Sequence, residues 1–311
     1  MRLLIFFALI LTLKITSMGQ TVVMDSIPPR TTDNTIESGP FNLRHYIATS
    51  DAPAKNTLVV FLPGTFRAPN NYIYMMEQIA KMGYHVIGLM YKNEPAINPI
   101  CRPTGDVTCH WRARMETIDG TARHTGVDVN VSNSIINRLV KALQYFAIKY
   151  PSGGWSQYYS GVQPQWTKII VSGHSQGASL AGIMGKEFAV KKVVMWSVID
   201  FLDNGNIPDW VNTTNNHDKF YAFIHPKDEQ VPFARAQIGW DKLGMNQHGS
   251  MVSIDCNAYP FNNSHILYTT YVPATALGDK YHNGSTLDIY INGETAYKAN
   301  LSEAIRYLFK E

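Results

Sequence analysis

The stretch IIVSGHSQGASLAG, from Ile169 to Gly182, decides how the rest of the chain is interpreted. A β-branched run comes first, small residues come last, and Ser175 lies between Gly173 and Gly177. This order predicts a strand, a sharp turn and a helix. Two interpretations of the turn are open. It is either an ordinary tight turn that contains a serine, or a strained elbow that presents a nucleophile.

The flanking sequence predicts alternating strands and helices. The run Leu58–Leu62 is continuously apolar and ends at Pro63-Gly64, as expected of a buried strand. A helix is predicted over 70–83, and further strands over 84–91, 166–173, 191–199, 219–225 and 265–272. Such alternation predicts an α/β fold with a mostly parallel central sheet and helices on both faces. With no repeat and no linker, residues 20–311 are predicted to be one domain.

The first 19 residues have the pattern of a cleaved signal peptide. Arg2 precedes an apolar run over 3–13, and small residues Ser17 and Gly19 follow it. This run is shorter than the roughly 20 residues of a membrane-spanning helix. We therefore expect a secreted or periplasmic protein without integral membrane association. Removing residues 1–19 lowers the net charge from +3 to +1, which gives no electrostatic basis for binding nucleic acid.

Two polar segments, at about 92–127 and 151–165, interrupt the alternation and are predicted to be insertion loops. Cys101 and Cys109 lie close together in the first segment, and an oxidising compartment favours a disulfide between them. Cys256 is left over and is predicted to be a buried free thiol. No Cys/His spacing matches a zinc site, so no metal is expected.

The motif GHSQG at 173–177, between a predicted strand and a predicted helix, resembles the nucleophile elbow of lipase- and esterase-like members of the α/β-hydrolase superfamily. The resemblance covers most of residues 20–311 in element order. It implies that Ser175 is the nucleophile and that the insertion lies over the active site. It also implies that the amides of Thr65, in FLPGT, and Gln176 form an oxyanion hole. Pro63-Gly64 departs from the family's usual His-Gly at this loop.

The resemblance also implies the order serine, acid, histidine along the chain. Asp228 follows the strand predicted over 219–225 and is the preferred acid. Asp200 and Asp203 follow the preceding strand and remain competitors. A carboxylate is needed there to orient the imidazole and to stabilise its charged form.

Three histidines come after Asp228. His282, in a loop rich in Gly and Asn before the terminal helix, is the preferred base. His265 lies at the start of a predicted strand, where a structural role is the simpler interpretation, and His248 comes before that strand. His174 belongs to the elbow and is expected to point away from the nucleophile.

These patterns predict a secreted serine hydrolase that cleaves an ester through an acyl-enzyme, without a cofactor. The aromatic residues in and beside the two insertion segments either form aromatic and polar walls suited to a small-molecule or carbohydrate-linked ester, or simply pack these loops against the fold. The alternatives are a peptidase, a thioesterase or a catalytically silent exported binding protein on the same scaffold.

Overall fold

The computed structural model describes residues 20–212 and 216–311. The predicted signal peptide lies outside these ranges. The described chain is built on eleven strands, β1 Val22–Ile27, β2 His45–Ser50, β3 Leu58–Leu62, β4 His85–Gly88, β5 Tyr159–Ser160, β6 Gln163–Pro164, β7 Ile169–His174, β8 Lys192–Trp196, β9 Phe220–Ile224, β10 Val252–Ser253 and β11 Ile266–Tyr268. Its α-helices are α1 Pro29–Thr32, α2 Ile73–Ala80, α3 Ile97–Cys101, α4 Cys109–Asp119, α5 Ile135–Lys149, α6 Gln176–Glu187, α7 Phe233–Lys242, α8 Lys280–Asn283, α9 Asp288–Ile291 and α10 Thr295–Leu308.

The central sheet has nine strands in the order β1-β2-β4-β3-β7-β8-β9-β11-β10. The pairs β1·β2 and β2·β4 are antiparallel, and all the other neighbours in this sheet are parallel. The carboxyl ends of β3, β7, β8 and β9 therefore meet at one edge of the sheet. This arrangement confirms the predicted α/β fold with a mostly parallel central sheet.

Both faces of the sheet are covered by helices, and the alternation of side chains along β3 shows how. Leu58, Val60 and Leu62 pack on one face, in a core shared with α4, α5, α6 and α7. Val59 and Phe61 pack on the other face with α2, α9 and α10. A strand buried on both faces must be apolar throughout, which explains the continuous apolar run seen in the sequence.

The two insertion segments differ from the loops that were predicted. Residues 92–127 contain the helices α3 and α4, and residues 151–165 form short 3-10 turns and the hairpin β5–β6. The strands predicted over 84–91 and 265–272 are shorter, at four and three residues. Within the described ranges, no helix combines the length and apolarity needed to cross a membrane.

The cysteines show one confirmed prediction and one error. Cys101 and Cys109 form a disulfide that joins the end of α3 to the start of α4. Cys256 is free, as expected, but it is exposed rather than buried. Its segment follows the short edge strand β10 and carries exposed residues over 256–260, so no core is available to cover the thiol.

Candidate active site

Ser175 occupies the sharp turn between β7 and α6. Its backbone has φ 53° and ψ −122°, a strained conformation for a residue with a Cβ, at a cost on the order of 1–3 kcal/mol. The Ser175 amide donates a hydrogen bond to the carbonyl of Trp196 on β8, at 2.9 Å. The strain is therefore held by the neighbouring strand, which favours the elbow interpretation over an ordinary turn.

The two glycines of the motif are required by close backbone contacts. A Cβ on Gly173 would lie 2.4 Å from the carbonyl carbon of Gly177, and one on Gly177 would lie 2.0 Å from the carbonyl oxygen of Leu62. Real Cβ atoms do not approach backbone so closely. Only glycine allows β3, β7 and α6 to pack this tightly around Ser175.

His282 and Asp228 are in direct contact, although 54 residues separate them in the sequence. The His282 Nδ1 lies 2.9 Å from both carboxylate oxygens of Asp228. Asp228 Oδ1 also accepts hydrogen bonds from the amides of Gln230 and Val231, each at 2.9 Å. The carboxylate is thereby fixed by its own turn and accepts the Nδ1 proton of the imidazole.

The other ring nitrogen of His282 is free among the described residues. Its Nε2 is buried and has no hydrogen-bond partner. With the proton on Nδ1, this nitrogen is an acceptor, and a buried acceptor without a partner is uncommon in folded proteins. The residue lies on the one-turn helix α8, where a loop was expected.

One cavity of about 510 Å³ brings the candidate residues together. It is lined by Gly64, Thr65, Phe66, Arg67, Ala96, Asn98, Pro99, Arg102, Arg114, His174, Ser175, Gln176, Glu229, Gln230, Asp279, His282 and Asn283. The same cavity is thus lined by Ser175, by His282 and by the two predicted oxyanion donors, Thr65 and Gln176. Asp228 does not line the cavity but contacts His282. The assignment of catalytic roles to them stays a prediction.

The alternative candidates for the base and the acid contact other residues. His265 Nδ1 donates to the carbonyl of Phe220, and the ring is stacked between Tyr221 and His248. Neither His265 nor His248 lines the cavity. Asp203 pairs with Arg102 near the surface, at 2.7 Å.

Asp200 is engaged in a buried ion pair behind the elbow. Arg114 of α4 donates to both of its oxygens, at 2.9 and 2.6 Å, and the Ser179 hydroxyl and the Trp210 indole also donate to it. Burial alone would raise the pKa of Asp200, but the Arg114 charge, the nearby His110 and the hydrogen bonds from Arg114 and Ser179 together outweigh this effect and lower the pKa to about 2. Arg114 also donates to Asn98, so this pair anchors the insertion against the elbow helix.

Gln176 anchors the start of the insertion from the other side. Its side-chain oxygen accepts from the Ile97 amide at 2.8 Å, and its side-chain nitrogen donates to the Asn93 carbonyl at 2.9 Å. The residue after Ser175 therefore shapes the cavity wall with its side chain, while its amide lies at the start of α6. No sequence pattern indicates this second role of Gln176.

His174 links the elbow to the other parts of the site. The Gly64 amide donates to the Tyr72 hydroxyl, which donates to His174 Nδ1, and His174 Nε2 donates to the His282 carbonyl; each distance is 3.0 Å. Burial lowers the pKa of His174 well below its usual value, with the neighbouring His282 acting in the same direction. His174 is therefore neutral near pH 7, and both of its ring nitrogens are engaged in this tether between the elbow and α8.

The aromatic residues expected to form walls of the site are packed elsewhere. Trp155 and Tyr158 are buried against His85 and Phe146. Neither they nor Trp111, Tyr159 and Trp166 line the cavity. The expectation of aromatic walls is wrong: Trp155 packs against Phe146 of α5, the Trp111 indole donates to Glu187, and Trp166 stacks on Phe188.

Known proteins with a similar sequence or structure add little to what the geometry indicates about function. No protein-family model and no curated protein matches the chain. Solved structures do match, among them one named as a dienelactone hydrolase from Klebsiella pneumoniae subsp. pneumoniae. That match has 10% sequence identity and a TM-score of 0.46, and it covers 94% of this chain and 100% of that chain. So distant a likeness carries no information about this chain's activity.

Proposed function

We propose that this protein is a serine hydrolase that cleaves a carboxylic ester through an acyl-enzyme. The observation that carries the proposal is the His282–Asp228 contact at 2.9 Å, with the unpartnered Nε2 of His282 buried at the cavity that holds Ser175. An acid that fixes the imidazole tautomer and a free acceptor nitrogen are what activation of a serine requires.

In this mechanism Ser175 attacks the ester carbonyl while His282 Nε2 takes its proton. The Nδ1 proton stays between His282 and Asp228, and the carboxylate stabilises the imidazolium. The amides of Thr65 and Gln176 hold the oxyanion of the tetrahedral intermediate, each donor being worth roughly 3 kcal/mol. His282 then returns the proton to the leaving alcohol, and water cleaves the acyl-enzyme by the same steps.

The cavity supports a polar rather than a fatty substrate. Its lining contains three arginines, two carboxylates and several amides, and its only large apolar side chain is Phe66, which is 73% exposed. A long acyl chain would find little apolar surface to cover it. A soluble ester or a carbohydrate-linked ester fits this lining better. Secretion is part of the proposal: the sequence pattern over 1–19 and the Cys101–Cys109 disulfide both favour an oxidising compartment.

A fluorophosphonate probe tests the mechanism, because it labels an activated serine without knowledge of the substrate. We expect labelling of the wild type, and loss of labelling in Ser175→Ala and His282→Gln. The matched control is His265→Gln, which removes a buried histidine outside the cavity and should retain labelling. Circular dichroism would verify that each variant is folded. Labelling that persists in Ser175→Ala, or a folded wild type that is never labelled, would contradict the proposal and favour a binding protein on this scaffold.

A further inference from the structure

The three arginines that line the cavity differ in their partners. Arg102 is paired with Asp203 at 2.7 Å, and Arg114 is paired with Asp200 at 2.6 Å. Across residues 20–212 and 216–311, no carboxylate lies within ion-pairing distance of Arg67 and no side-chain hydrogen bond engages its guanidinium. Among the described residues, Arg67 therefore contributes a positive charge to the cavity that is not paired with a carboxylate of the protein.

The backbone fixes Arg67 two residues after the predicted oxyanion donor Thr65. The Arg67 amide donates to the Gly64 carbonyl at 3.1 Å, and its carbonyl accepts from the Asn93 side chain at 2.7 Å. These two hydrogen bonds hold the backbone of Arg67, and with it the base of the side chain, beside the elbow. A charge at a defined position next to a reactive serine can select substrates.

The acidic residues of the cavity are occupied by donors of the protein. Glu229 accepts from the amides of Tyr281 and His282, at 3.1 and 2.9 Å. Asp279 accepts from the Gln230 side chain at 3.1 Å. Their remaining capacity for binding a cationic group is reduced, whereas the guanidinium of Arg67 retains all of its donors.

Arg67 also lines a second cavity, of about 350 Å³, together with Asn70, Asn71, Leu287, Asp288, Ile289 and Asn292. The side chain therefore stands at the boundary between the two cavities. A substrate that extends from Ser175 toward the second cavity passes this cation.

From these contacts we infer that the esters cleaved by this protein carry a carboxylate, and that Arg67 binds it through its planar guanidinium. The inference rests on the proposed function and narrows its substrate class. A guanidinium offers two parallel hydrogen bonds to a carboxylate, which gives both affinity and orientation. The carboxylate belongs either to the acyl part or to the alcohol part of the ester, and two substrate pairs distinguish these positions.

The test compares each carboxylate ester with its neutral carboxamide analogue. Monoethyl succinate and ethyl succinamate place the group on the acyl part; acetoxyacetate and acetoxyacetamide place it on the alcohol part. In the wild type we expect the carboxylate ester of at least one pair to have the higher kcat/KM. Arg67→Gln should lower that carboxylate-to-carboxamide ratio about 10- to 100-fold, and Arg67→Lys should lower it less. Arg235→Gln, which removes a positive charge outside the cavity, should keep the wild-type ratio.

A second measurement separates this inference from the mechanism. Succinate should slow fluorophosphonate labelling of the wild type, succinamide should not, and Arg67→Gln should abolish the protection by succinate. If Ser175 is labelled but the ratio and the protection are the same in wild type and Arg67→Gln, the inference is overturned while the mechanism stands. If the folded wild type is neither labelled nor active on any of these esters, both are overturned.

Discussion

Two buried aspartates, Asp200 and Asp228, follow neighbouring parallel strands and yet have different partners. Asp228 comes after β9 and accepts from the Nδ1 of His282 and from two backbone amides. Asp200 comes after β8 and accepts from Arg114, from a serine hydroxyl and from an indole. Both carboxylates are saturated with donors, so burial and hydrogen bonding alone do not distinguish them.

The partner decides what each carboxylate can do. A histidine can release and accept a proton near neutral pH, whereas an arginine stays charged. Asp228 is therefore suited to orient a base, and Asp200 is suited to hold the insertion helix α4 against the elbow. Because both aspartates follow the carboxyl end of a parallel strand, position alone makes each of them a candidate for the acid. The roles differ because Asp228 contacts a histidine and Asp200 contacts an arginine.

The largest effect is expected from Asp228→Asn. An asparagine amide would donate to His282 Nδ1, which leaves the proton on Nε2, the wrong nitrogen for activating Ser175. We expect kcat for a carboxylate ester to fall about 10⁴-fold. Stability should change little, because the remaining oxygen can still accept the amides of Gln230 and Val231. Ester hydrolysis and urea unfolding of the same preparation measure both quantities, and an active Asp228→Asn would remove the distinction between the two aspartates.

The next effect is expected from Asp200→Asn, and it concerns stability. The substitution leaves the Arg114 guanidinium buried without its counter-charge, which costs about 3–5 kcal/mol of unfolding free energy. Asp203→Asn is the matched control, because its ion pair with Arg102 is partly exposed and such pairs contribute about 1 kcal/mol or less. Urea unfolding of the three proteins gives the comparison. Equal losses in the two variants would mean that the buried pair is no more important than a surface pair.

The smallest effect concerns the pH dependence of stability near Asp200. His110 of α4 is buried, and its Nε2 lies 3.2 Å from Asn98 Oδ1. Burial lowers its pKa to about 4, despite the attraction of Asp200. A group with a folded pKa below its unfolded value stabilises fully above the unfolded pKa, near 6.5, and loses this contribution as pH falls toward 4.

Between pH 7.5 and pH 5, His110 should therefore contribute about 2 kcal/mol to the loss of unfolding free energy. Other buried histidines with lowered pKa, such as His45 and His265, add to the loss in the wild type. His110→Gln should lose about 2 kcal/mol less than wild type over this interval. Urea unfolding at the two pH values measures the difference, and equal pH dependence in both proteins would show that His110 is not held neutral.

The parts of the site that depend on local chemistry could be predicted from the sequence. The contacts that require Gly173 and Gly177 lie within one turn and the adjacent strand, so the motif itself reveals them. The choice of Asp228 and His282 rests on the resemblance to α/β-hydrolases, which implies the order serine, acid, histidine and places the acid and the base on loops after late strands.

The parts that depend on long-range contacts could not be predicted. Helix α4 buries His110, Arg114 and Glu116, so its sequence lacks the apolar stripe that marks a helix. Arg114 meets a partner 86 residues away, and His174 meets the His282 carbonyl 108 residues away. Likewise, the lack of an ion-pair partner for the Arg67 guanidinium within residues 20–212 and 216–311 becomes visible only when the whole cavity is assembled.

The tether through His174 has a consequence for how the protein is made. Gly64, Tyr72 and His174 are all synthesised at least 108 residues before His282. Asp288, which accepts from the amides of Ile73 and Tyr74 at the start of α2, is synthesised later still. The ribosome adds residues in order, so under the proposed mechanism the nascent chain holds an elbow without its base until His282 has been synthesised and docked. Ser175 would then gain its reactivity only after a segment more than 100 residues further along the chain has folded onto the elbow.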